Sequence, residues 1–266
     1  MDEAIACKEL PWALTGDDLS NWSGRLTRAS AMGLKLRTLL FVASPLFNSD
    51  SPYYQGEAST QLMTWFGGYD QKRWEAAAAA GKEFFDAMAS EGFYRLVDKN
   101  TSGTYRQAFQ DAYYTRGTTE SLVSVRRHYK TSNLSFLLQS MRWGGWCRTK
   151  ESFDMFPMAD GTDFDWDNPE HRKNPFINRD PRLSETILLD GDDFQGTKAE
   201  VFQKKGDDPN NYPAGKHWNS SAASLDTKSL ATGIAGRKFA LDRKNEYSGR
   251  IFQWPYLRLA EVYLSY

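Results

Sequence analysis

RLTRASAMGLKLRTLLFVASPLF, from Arg25 to Phe47, is the stretch whose reading decides the fold. Leu26, Ala29, Met32, Leu36, Leu39, Leu40, Ala43 and Phe47 recur at helical spacing, the pattern of a helix with one buried face. Arg25, Arg28, Lys35 and Arg37 occupy the other faces. Pro45 lacks a backbone donor, so a stop or kink is expected there. Beyond it, Asn48, Ser49, Asp50, Ser51, Pro52, Gly56, Gly67 and Gly68 make residues 48–69 a turn-rich connection. A second helix is expected from about Asp70 to Ser90, with Trp74, Ala77, Ala78, Gly81, Phe84, Phe85 and Met88 facing inward. Two helices joined this way read as an antiparallel hairpin, the unit of helical-repeat scaffolds. Two units do not establish a repeat by period alone.

From about Thr101 the texture changes. Tyr105–Tyr114 is expected as a short helix and Ser121–Tyr129 as a strand. Between residues 140 and 250 Gly, Pro, Asn and Asp are frequent and periodicity is weak; such irregular stretches are often functional. Pro255 to Tyr266 is predicted to open an amphipathic helix, with Leu257, Ala260, Tyr263 and Leu264 on one stripe. That helix meets no capping glycine or polar tail, so the sequence reads as a piece of a longer protein. The first residues lack the basic and apolar regions of a secretory signal.

Composition narrows the function classes. The 266 residues carry a formal net charge of −1, which gives no footprint for nucleic acid. No apolar run is long enough to span a membrane. Two cysteines, Cys7 and Cys147, make no disulfide framework, and their pairing is not legible from sequence. Three histidines, His128, His171 and His217, argue against clustered-histidine chemistry. Aromatic residues are the outlier at 14%.

The segment Gly191–Lys198 has the glycine spacing of a phosphate loop but the wrong residues after it, and acids where phosphates would approach. Asp163, Asp165 and Asp167 alternate as calcium ligands do, but Asn168 and Asn174 stand where an EF-hand needs Gly and Glu. They are a candidate for a different calcium site, helped by Asp160, or else a solvated acidic turn. No other metal or cofactor is expected. Asp154, Asp160, Glu170, Asp180 and Glu185 offer carboxylates for glycoside hydrolysis without any spacing that selects two. No serine elbow is present, and Cys147 reads as structural rather than as a thiol nucleophile. No catalytic set emerges, so the chain reads as a non-enzyme. Aromatics in polar loops remain: Trp143 and Trp146 beside glycines, and Trp166, Tyr212 and Trp218. Flat rings flanked by Asn, Asp and Arg suit sugars; the competing reading makes these rings the core of a loop-rich region.

Five segments carry a family resemblance. ASAMGLKLRTLLFVASPLFN (Ala29–Asn48) resembles the characteristic helix of the SusD/RagB family. Trp74 with Ala76–Ala80 resembles its following helix. ESFDMFPMADG (Glu151–Gly161), NPFINRDPRL (Asn174–Leu183) and RLAEVYL (Arg258–Leu264) resemble three later motifs, in the family's order. Arg179-Asp180-Pro181-Arg182 reads as a charge-paired turn that fixes a loop, so these motifs look structural rather than ligand-binding. The resemblance implies a mainly α fold, with tetratricopeptide-like helical pairs and a large irregular region. On it, residues 1–95 are the helical hairpin, 96–250 the irregular ligand-facing region and 251–266 the start of a further scaffold helix, all of one domain. It also implies a non-catalytic, glycan-binding outer-membrane lipoprotein that passes oligosaccharides to a TonB-dependent, SusC-like transporter. Membrane attachment would be by a lipid anchor outside this sequence; Cys7 is not that anchor. A helical-repeat scaffold that binds protein, or a binder of another nutrient such as peptides, is the alternative.

Overall fold

The computed structural model describes residues 9–128, 148–194, 197–199, 234–238 and 251–266. The chain divides into two compact units, Met1–Arg127 with Phe252–Tyr266, and His128–Ile251. In chain order the elements are helices α1 (Gly16–Trp22), α2 (Arg28–Ala43), α3 (Glu57–Thr60), α4 (Gln71–Glu91), α5 (Lys99–Ser102) and α6 (Tyr105–Tyr113), then strand β1 (Ser121–His128). Helices α7 (Lys150–Asp154), α8 (Pro169–Lys173) and α9 (Pro181–Thr186) follow, with short strands β2 (Ile187–Leu188), β3 (Asp193–Phe194), β4 (Thr197–Lys198) and β5 (Ala235–Gly236). Strand β6 (Ile251–Arg258) leads into helix α10 (Leu259–Ser265). The fold is mainly α. No described helix is long and apolar enough to cross a membrane.

The hairpin of the first unit is α2 and α4. Thr27 caps α2: its hydroxyl accepts from the Ser30 N–H at 3.2 Å. The helix ends at Ala43 because Ser44, before Pro45, is extended as a pre-proline residue must be. Asp70 caps α4 by accepting from the Lys72 N–H, and Gly92 ends it at φ 72°. Ion pairs Arg28–Glu91 and Lys35–Glu83 tie the two helices in antiparallel order. Ala29, Met32, Gly33 and Leu36 are buried on one side, and Ala77, Ala80, Gly81 and Phe84 on the other. Two inward assignments fail. Ala78 is exposed, because the buried stripe follows 77, 80, 81 and 84; Leu26 precedes the helix and faces solvent.

The second correction concerns the end of the sequence. Residues 255–258 are not helical: β6 pairs with β1 in a two-stranded ribbon. Gln253 and Leu257 are buried while Trp254 and Tyr256 are exposed, the alternation of a strand. Helix α10 then buries Leu259 and Val262, leaving Tyr263 and Leu264 outside, so the expected stripe is not the buried one. The ribbon seats on α2 at Gly33, where a Cβ would lie 3.0 Å from a Leu257 methyl and 3.4 Å from a Leu122 methyl.

Charged groups lock this seam. Arg37 donates to both oxygens of Glu261 at 2.5 and 2.6 Å and to the Tyr256 carbonyl at 2.8 Å. The bond to Glu261 raises the Arg37 pKa. Arg258 donates to buried Glu120 at 2.5 Å, and the other Glu120 oxygen accepts from the Val97 N–H at 3.0 Å. A carboxylate buried this far needs both partners.

The described residues of the second unit form only short helices and strands. Phe153, Leu183, Ile187 and Leu189 form its described core. Strands β2 and β5 pair antiparallel, Ile187 opposite Gly236, and β3 and β4 do so with Asp193 opposite Lys198.

Candidate functional site

Of the five aromatics singled out from sequence, Trp143, Trp146, Tyr212 and Trp218 lie outside the described residues. So do Cys7 and Cys147. Trp166 is described, and most of its surface is committed to packing. Its ring meets Phe164 edge-on at 4.9 Å and lies 6.1 Å from Phe153. Its N–H donates to Asp154 at 2.7 Å, and the Lys150 ammonium sits over the ring at 4.9 Å. The indole packs against the cluster of Phe153, Leu183, Ile187 and Leu189.

The alternating acids do not converge. The Asp165 carboxylate accepts from the Asp167 N–H at 2.8 Å, and Asp167 faces Arg172 at 3.6 Å. The Asp165 N–H donates to Nδ1 of His171, whose ring stacks on Phe164. The hydroxyl and N–H of Thr162 hold the Asp160 carboxyl below the usual carboxylate range. Among the described residues no three Asp, Glu, His or Cys side chains are grouped to hold a metal ion. Period-two acids here make successive side-chain-to-backbone turns instead.

Arg179-Asp180-Pro181-Arg182 divides its charges as a structural joint. Arg179 is buried and donates to three carbonyls, those of Pro175 (2.8 Å), Phe153 (3.0 Å) and Phe156 (2.6 Å). Its guanidinium also lies 3.9 Å above the Phe164 ring. Burial lowers its pKa. Asp180 caps α9 and pairs with Arg182 at 2.6 Å, which holds the Asp180 carboxyl below its usual range. The expected charge-paired turn is therefore Asp180–Arg182, and Arg179 serves the loop carbonyls.

The connection between α2 and α4 presents a surface that sequence reading passed over. Asn48, 2% exposed, clasps its two ends. Its Nδ2 donates to the carbonyls of Ala43 (3.3 Å) and Asp70 (3.1 Å), and its Oδ1 accepts from the Asp70 N–H (2.7 Å) and Arg73 (2.8 Å). Between these ends Tyr53 and Tyr54 are 81% and 82% exposed, and Leu62 and Met63 face solvent with them. Leu62 holds φ 56°, a left-handed conformation costly for a branched side chain. Two adjoining cavities of about 220 Å³ share Phe47 and Thr64. One is lined by Leu46, Tyr53, Tyr54 and Ser59, the other by Phe41, Leu62, Met63 and Phe66. The signal was present in YYQG and LMTWFGGY, apolar words inside a turn-rich stretch, but the surrounding turn formers mark the segment only as a connector.

Among the described residues the long helices α2 and α4 build the first unit and their connection carries exposed aromatic rings, on a mainly α fold. Comparisons with known proteins give the class a name. The model of the SusD family matches residues 98–266. A SusD-like carbohydrate binding protein from Bacteroides fragilis NCTC 9343 shares the fold at 18% identity and TM-score 0.57, over 99% of this chain and 43% of that one. A protein named BT4246 does so at 21% identity and TM-score 0.66, over 99% of this chain and 53% of that one. Its selenomethionine form gives 21% identity and TM-score 0.65, over 99% and 54%. No curated protein matches the chain. The chain spans about half the length of the solved structures it matches. It belongs to the SusD family.

Proposed function

We propose that this chain belongs to a non-catalytic glycan-binding protein of the outer-membrane surface, which passes oligosaccharides to a TonB-dependent transporter. Membership of the SusD family carries this reading, and the same-fold protein from Bacteroides fragilis is described as carbohydrate binding. The surface chemistry supports it: solvent-facing tyrosines offer flat apolar faces to sugar C–H groups and hydroxyls to sugar oxygens. In the second unit Trp143 and Trp146, each beside a glycine, are the proposed stacking residues, with Tyr212 and Trp218 in support. Titration calorimetry of this chain against neutral, acidic and N-acetylated oligosaccharides tests the reading. Saturable binding is expected with at least one class, weakened in a Trp143→Ala/Trp146→Ala variant of unchanged circular dichroism. No binding to any class would refute the glycan reading. Binding that survives the double substitution would keep the function and move the site.

A further inference from the structure

Arg116 and Arg126, both in the first unit, stand without a counter-charge. Arg116 is half-buried in the turn after α6, and Arg126 is exposed on β1. Among the described residues neither guanidinium makes an ion pair or a hydrogen bond. The two are close enough to repel: burial first, and then the charge of Arg126, lower the Arg116 pKa.

The ribbon explains their placement. The Gln253 N–H donates to the Tyr114 carbonyl at 3.4 Å, and the Gln253 Oε1 accepts from the Ser124 hydroxyl at 3.1 Å. Buried Gln253 therefore draws the end of α6 and strand β1 together, and Arg116 and Arg126 each follow two residues beyond. Alternate residues of a strand share a face. Arg126 thus lies on the face of buried Leu122 and Ser124, where that face leaves the core.

A half-buried charge is costly without a partner, and a like charge beside it adds to the cost. The acids nearest in sequence are committed elsewhere. Asp111 accepts from Ser102, Gln107 and Thr115, and Glu120 is held by Arg258 and the Val97 N–H. Asp17 and Asp18 precede Leu19, whose side chain lies against Gly117, yet they form no ion pair among the described residues. From Ser121 to Lys150 the sequence has six lysines and arginines, one histidine and no acid, in a chain of formal net charge −1. Three buried polar groups of the same turn and ribbon also lack a partner: Oγ1 of Thr118, Oγ of Ser121 and Nε2 of Gln253. Cations without an anion and donors without an acceptor call for one kind of partner, an oxyanion, which guanidinium forks match in geometry.

We propose that Arg116 and Arg126 form an oxyanion site, which takes the carboxylate or sulfate group of an acidic oligosaccharide. The bound anion offsets the repulsion between the two guanidiniums. As a sugar site this rests on the glycan-binding reading above; as an oxyanion site it does not.

The test is calorimetry of this chain at low ionic strength with tri-galacturonate, sulfated cellotriose, cellotriose and sodium sulfate, repeated on Arg116→Gln and Arg126→Gln. At least one of the two acidic oligosaccharides should bind about tenfold or more tighter than cellotriose, and lose about tenfold or more in each variant, the loss of one charged hydrogen-bonding partner. Cellotriose binding should not change. Unliganded Arg126→Gln should melt no lower than the parent, because it removes a repulsion; a lower melt would show Arg126 serving the fold and overturn the site. Acidic oligosaccharide binding that is indifferent to both variants, or no tighter than that of cellotriose, overturns the site and leaves the glycan reading standing. Sulfate binding that needs both arginines, with no oligosaccharide bound, keeps the oxyanion site and overturns the glycan reading. Binding of neither oligosaccharide nor sulfate overturns both.

Discussion

Replacing Asn48 by alanine should open the connection between α2 and α4 and cost about 3 kcal/mol. The side chain makes four hydrogen bonds, two as donor to the carbonyls of Ala43 and Asp70 and two as acceptor from the Asp70 N–H and Arg73. Three are neutral, each with a net contribution of about 1 kcal/mol, and the one from the guanidinium contributes about 1.5–3 kcal/mol. Summed, these approach 5 kcal/mol, but the connection around the clasp is exposed, so water recovers part. Alanine also leaves the Asp70 N–H without its acceptor beside the cap of α4. For a chain of this size the loss corresponds to a melting temperature lower by roughly 6–12 °C. Asn48→Asp keeps both acceptor contacts and turns its second oxygen toward two carbonyls, so about half of the loss is expected. The assay is a thermal melt joined to amide exchange read at Asp70 and at Ala77–Phe84. Protection should fall at Asp70 and persist within α4. A shift below about 2 °C, or a melt lowered with Asp70 still protected, would refute the clasp.

Three further outcomes are expected. Arg179→Ala should cost about 3 kcal/mol by stranding three carbonyls, and Arg179→Lys should rescue less than half of it in a urea titration, because an ammonium cannot copy the fork. Gly24→Ala should cost about 2–4 kcal/mol, combining a positive φ with overpacking, since its Cβ would stand 2.3 Å from the Ser124 carbonyl oxygen; a melt within 1 °C of the parent would contradict this. Asp180 has its pKa lowered in the folded state by Arg182, so its contribution is present above the unfolded carboxylate value of about 3.9 and fades as pH falls through the folded one. Asp180→Asn should therefore flatten the stability profile below about pH 4; an unchanged acid limb would show that the pair contributes nothing.

The hairpin was legible because two signals agreed, the helical period along α2 and α4 and the stop before Pro45, whereas the caps Thr27 and Asp70 show only in the structure. Strand β6 was not, because Leu257-Arg258-Leu259-Ala260-Glu261 continues smoothly into helix-forming residues and hides the change of period at Arg258. The alternation of buried Gln253 and Leu257 with exposed Trp254 and Tyr256 shows only once the strand is known. Several residues of the motif words make internal contacts. Arg37 and Glu261 from two of them meet each other, Arg258 meets Glu120, and Arg179 binds loop carbonyls. The surface of the connection was the harder matter. Turn formers announce where a chain bends, and say nothing about the rings carried on the bend. Tyr53 and Tyr54 were therefore hidden by Pro52 and Gly56, while Trp166 drew notice and is largely spent on packing.

The Arg37–Glu261 clamp joins residues 224 positions apart. At ribosomal elongation rates of about 5–20 residues per second, a nascent α2 waits on the order of ten seconds or more for its partner to be made. Helices form in about a microsecond, so the hairpin is ready almost at once. During that wait the groove at Gly33, which Leu257 later fills, stands open to solvent and to other chains. Biosynthesis of this fold thus has a built-in interval of vulnerability, which closes when the ribbon's second strand emerges and covers the seam.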